Sequence, residues 1–155
     1  MKEYILLYRS KLNKYLNIEK CPKSKLLDLN IFISEDYSPY KIDIFTREIN
    51  LYNTTYIYNN FKEKIMYIGF GEWFVNEDVD GPEYDEYVNY VNENNSCKIS
   101  VDNFQEFIQN WRTIKKELPS FAIIYRDDKD WVHCQGFQSK EDMEQFIQDA
   151  QQIVN

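Results

Sequence analysis

The sequence predicts an α+β domain in which helices pack on one face of an antiparallel β-sheet. Three observations predict it: amphipathic helical periodicity marks both ends of the chain, short alternating runs rich in Ile, Tyr, Phe and Thr fill its middle, and there is no regular βαβ alternation. A chain of 155 residues suits one domain over 1–155, since a globule of that size buries roughly 70% of the surface its unfolded chain exposes. No repeat, low-complexity stretch or Gly/Ser linker suggests a second domain. A hydrophobic fraction of 43%, of which Tyr and Phe form an unusual share, argues against disorder.

Ile5, Tyr8, Leu12, Tyr15 and Leu16 recur at helical spacing with Lys and Arg between them, which predicts an amphipathic helix over 3–17, ended at Cys21 and Pro22. From 26 to 75 the pattern becomes that of a β-meander, with strands expected near 29–33, 41–46, 48–52, 55–60 and 64–75. Asp80, Gly81 and Pro82 break it. Tyr84, Tyr87, Val88 and Val91 then stand at i, i+3, i+4 and i+7, which predicts a short helix with Pro82 near its first turn. A longer helix is expected from Asp102 as N-cap, with Phe104, Phe107, Ile108, Trp111, Ile114 and Leu118 on one face and Pro119 stopping it. The segments 121–125 and 131–137 flank a polar link of hairpin length. Ser139 opens a last helix carrying Met143, Phe146, Ile147, Ala150 and Ile153.

Several chemistries lack their residues. Cys21, Cys97 and Cys134 are far apart, odd in number and in no CxxC or Cys/His spacing, so buried, reduced thiols are expected and neither disulfide nor zinc. The N-terminal apolar run is too short for a signal peptide, and no stretch approaches the ~20 apolar residues of a membrane span, so a cytoplasmic protein away from membranes is expected. Neither GxGxxG nor GxxxxGK[ST] occurs; Gly69, Phe70 and Gly71 read as a bulged strand rather than a phosphate cradle. The single histidine, His133, adjoins Cys134, and neighbours on a strand face opposite ways, which disfavours a Cys/His dyad. Residues 76–81 look like the opening of a calcium-binding loop, but position 12 of that motif, a bidentate Glu, is Tyr87 here. The expectation is a non-catalytic protein without metal or cofactor.

Charge carries the functional signal. Between Ile65 and Cys97 there is no Lys or Arg, while Glu72, Glu77, Asp78, Asp80, Glu83, Asp85, Glu86 and Glu93 supply eight acids. These account for the whole net charge of −8, because the rest of the chain holds 18 basic and 18 acidic residues. Trp73, Phe74, Tyr84, Tyr87 and Tyr90 are interleaved with them, and aromatic side chains are enriched in binding hot spots. Clustered carboxylates repel one another, a cost that a basic partner offsets. A partner-binding surface is expected at Glu72, Trp73, Glu77, Asp78, Asp80, Glu83, Tyr84, Asp85, Glu86 and Tyr87. The plainer alternative is an acidic loop that favours solubility and a helix N-terminus. Direct nucleic-acid binding is disfavoured, since phosphate neutralisation needs a basic patch and this one has the opposite sign.

In size, acidity, lack of a catalytic signature and the patch over 72–86, the chain resembles bacterial immunity proteins, the small acidic inhibitors made beside polymorphic toxins such as those of contact-dependent inhibition systems. The resemblance implies a cytoplasmic inhibitor in tight complex with a basic toxin domain, of nuclease type, whose active site it blocks. Two other classes stay open: a regulatory or structural subunit of a larger assembly, with Tyr4, Tyr8 and Tyr15 as an apolar patch, and a small enzyme using a carboxylate pair, whose spatial spacing leaves no mark in sequence.

Overall fold

The computed structural model describes residues 1–10, 16–20, 23–34, 43–52, 55–70 and 91–152. In chain order the elements are β1 (Glu3–Arg9), β2 (Leu16–Lys20), α1 (Leu26–Ser34), α2 (Asp43–Thr46), β3 (Ile49–Tyr52), β4 (Thr55–Asn60), β5 (Ile65–Phe70), β6 (Cys97–Ser100), α3 (Val101–Glu117), β7 (Phe121–Arg126), β8 (Val132–Phe137) and α4 (Lys140–Gln152). The α+β class holds, and among the described residues every strand pairing is antiparallel. The strands divide between two four-stranded sheets, ordered β2-β1-β7-β8 and β3-β4-β5-β6. The chain forms two compact units, one of Met1–Leu26 with Gln105–Asn155 and one of Leu27–Phe104. Among the described residues no helix is long and apolar enough to cross a membrane.

In the first unit β1 is a central strand, and its run Ile5, Leu6, Leu7 is buried on both faces of the sheet. On one face Leu6 and its cross-strand partner Ile123 pack with Met143 of α4, ringed by Tyr4, Phe121, Tyr125, Phe137, Phe146 and Ile147. The other face meets α3 from Gln105 onward: the Cys134 thiol lies 3.9 Å from the Phe107 carbonyl oxygen. Close packing there explains Gly136, where a Cβ would come within 2.8 Å of Pro119 Cγ. Helix α4 starts as its sequence requires, with Ser139 Oγ accepting from the Asp142 amide at 3.1 Å and Glu141 and Asp142 in its first turn. Helix α3 stops at Leu118, which adopts the left-handed conformation (φ 49°) before Pro119.

In the second unit β3 to β6 form a meander in which Tyr58 and Tyr67, opposite one another, stack at 6.0 Å. The buried amides of Asn50 and Asn59 donate to the carbonyls of Ile44 and Arg47, satisfying the chain as it leaves α2. The Phe104 ring meets Phe32 and Phe45 at 6.2 and 5.9 Å.

Some local expectations are corrected. Residues 3–17 are not a helix: 3–9 and 16–20 are the paired strands β1 and β2, and 11–15 lie outside the described residues. The five consecutive apolar residues from Tyr4 to Tyr8 suit a strand buried on both faces better than one helical stripe. Residues 29–33 are not a strand but belong to α1, whose buried positions Leu26, Leu29, Asn30 and Ile33 have helical spacing, and Ser24 Oγ accepts from the Leu26 amide as its cap. Of the strand expected over 41–46, residues 43–46 form the single turn α2, and 41–42 lie outside the described residues. The cap of α3 is Ser100, whose hydroxyl accepts from the Asn103 amide, while Asp102 sits in the first turn. Gly69 lies in a regular β4–β5 ladder without a bulge. Val91, expected in a helix, is buried outside any helix or strand.

Candidate interaction surface

The residues expected to meet a partner, from Glu72 to Tyr87, all lie outside the described residues, as do residues 76–81 with their calcium-loop pattern. What the structure describes is where that stretch joins the second sheet. β5 ends at Phe70 and β6 begins at Cys97, and Ile68 pairs with Cys97, so both joins stand at one end of neighbouring strands.

Tyr56 of β4 connects the two joins. It is 1% exposed and stands opposite Gly69, where an added Cβ would fall on the Tyr56 ring. Its hydroxyl shares a 2.5 Å hydrogen bond with Ser96 Oγ, and its ring packs with buried Val91. Ser96 Oγ donates in turn to Asn95 Oδ1, which also accepts from the Asn92 amide, and Asn92 Oδ1 accepts from the Asn94 amide. The turn leading into β6 is thus organised by its own asparagines, which favour such side-chain to backbone bonds.

Two side chains stand beside these joins. Phe70, the last residue of β5, is 53% exposed. It shares the strand face of buried Met66 and Ile68, so alternation places it in the core; its position at the strand's end exposes it, and nothing in the sequence signals that. Glu93 alone of the eight clustered acids is described, and it pairs with Lys98 across 3.6 Å at the surface, a contact of little energetic weight.

The single histidine has a structural task. His133 stacks on Tyr125 at 4.9 Å, and its Nε2 lies 2.8 Å from Asp127 Oδ2 and donates to it. Asp127 Oδ1 accepts from the amides of Lys129 and Trp131, so this carboxylate ties the β7–β8 turn together. Burial pushes the Asp127 carboxyl up, but hydrogen bonds from His133, Trp131 and Lys129 outweigh it and hold the group below its ordinary range. Cys134 faces the other side of the sheet, toward Phe107, and burial pushes its thiol up to about 12, unlike an activated nucleophile. A carboxylate with a lowered folded-state pKa contributes stability above its unfolded pKa, and that contribution is lost as pH falls through the folded value. Asp127→Asn is therefore expected to flatten the acid limb of stability below the ordinary value of 3.8 while leaving the pH 7 to 9 range flat, as read by urea unfolding at stepped pH.

No protein-family model, curated protein or solved structure matches this chain. Among the described residues Met1 pairs with Asp128, Lys2 with Asp130, Arg126 with Glu3 and Lys98 with Glu93, setting acid against base, whereas the stretch over 72–86 lacks a base in sequence.

Proposed function

We propose that the chain is a non-catalytic, cytoplasmic binding protein that engages a basic protein partner through the acidic, aromatic stretch 72–87. Following the resemblance to immunity proteins, the partner is a toxin domain of nuclease type and the complex inhibits it. The observation that carries this reading is the confinement of the entire net charge of −8 to one base-free segment. Exposed Phe70 beside that segment supports it, because an aromatic at the edge of a charged patch can anchor what the charge steers. The structural task of His133 and the raised thiol of Cys134 are consistent with a protein that does no chemistry at these residues.

The test is a comparison of captures. The immobilised protein is expected to retain a basic protein from lysate at low salt and release it at high salt, and a variant with Asp78, Asp80 and Asp85 changed to Asn to retain much less. Against the partner so identified, Trp73→Ala or Tyr84→Ala is expected to cost ~2 kcal/mol if that ring is an anchor, chiefly in dissociation rate, while the Asn variant loses association rate and its salt dependence. Equal capture by both proteins at every salt concentration would contradict the proposal.

A further inference from the structure

We propose that Tyr56 is a positioning residue that couples the two ends of the acidic stretch, so that neither end loosens without the other. A single side chain reaches both joins: its ring covers Gly69 at the end of β5, and its hydroxyl and ring hold Ser96 and Val91 before β6. These positions are remote in sequence, Ser96 lying 40 residues from Tyr56. Ser96 is 1% exposed, so both polar ends of this hydrogen bond are withdrawn from water, where a lost partner is costly. Gly69 is fixed by the same contact, since any side chain there displaces the ring. The Asn92 and Asn95 hydrogen bonds extend the hold from Ser96 to the residue after Val91. A surface intended for a partner gains affinity when its ends are held before binding, because less freedom is lost on association. That consequence rests on the proposed contact surface, whereas the coupling itself does not.

Native-state amide exchange by NMR on the full chain tests the coupling without any partner. Ser96→Ala, which touches only the later join, is expected to speed exchange at Gly69 and Phe70 as well as at Asn92, Asn94 and Asn95, by roughly tenfold, the scale of one buried hydrogen bond. Amides of Ile123 and Ile124 in β7 should keep their wild-type rates. Tyr56→Phe, which removes the shared bond but leaves the one from Ser96 to Asn95, should act in the same direction, and the double variant should be no worse than Ser96→Ala alone, since that change already removes the shared bond. The proposal is overturned if Ser96→Ala accelerates only the amides next to it, or if β7 accelerates to the same degree, which is global destabilisation. Should the coupling appear while acidic charge reversal leaves binding intact, the contact surface is wrong and the coupling stands.

Discussion

A protein ending before Ser139 is expected to show no cooperative unfolding transition in urea. The missing helix supplies Met143, fully buried against Leu6 and Ile123, together with Phe146 and Ile147. The Phe146 ring also meets Tyr125 and Phe137 at 5.4 and 5.5 Å, so its loss bares the centre of one sheet face. Full burial of each such side chain is worth roughly 1.5 to 3 kcal/mol, and a domain has about 5 to 15 kcal/mol in all. Met143 carries that full value and the half-buried Phe146 and Ile147 a part of it, so their joint loss removes a large share of the margin. Met143→Ala offers a graded version, with an expected loss of about 2 to 5 kcal/mol, since it leaves a cavity where three elements meet. A truncated protein with a wild-type transition would show that the face is covered by something other than α4.

The two long amphipathic helices were legible from their apolar stripes, supported by the cap Ser139 for α4 and the stop at Pro119 for α3, whose cap is Ser100 and not Asp102. The strands β3, β4, β5, β7 and β8 were legible from alternation and turn residues. Failure came where a short apolar segment satisfies two periods at once. The run Tyr4 to Tyr8 reads as one helical stripe only if its continuous apolarity is discounted, and α1 reads as a strand only if Ser24 is not recognised as a cap. β6 is four residues long and adjoins a strong helix, so no window isolates it.

The charge asymmetry of the candidate surface is wholly a property of sequence, but its attachment is not. Gly69 reads as a bulge from sequence because its cause, the Tyr56 ring, lies across the sheet. Likewise no periodicity relates Tyr56 to Ser96, and Asp127 looks like one of several turn acids until the His133 bond distinguishes it. Contacts made between elements depend on register, which local patterns do not fix.

If the acidic stretch binds a basic partner, reversing Asp78, Asp80 and Asp85 to Lys is expected to abolish the complex. Each reversal replaces attraction by repulsion, worth roughly 2 kcal/mol at contact distance even in water-like dielectric, since one unit-charge pair there is worth about 1 kcal/mol. Three together, about 6 kcal/mol, amount to roughly ten-thousandfold (~10⁴) in affinity. A lost fold is a separate outcome, detected by comparing the urea transition with that of the wild type. The deciding measurement is a calorimetric titration of the folded triple variant, at low salt, with the basic partner that the wild-type protein captures. The expected result is no detectable heat of binding at concentrations that saturate the wild type. Undiminished affinity would contradict it and leave the acidic stretch as a solubility feature.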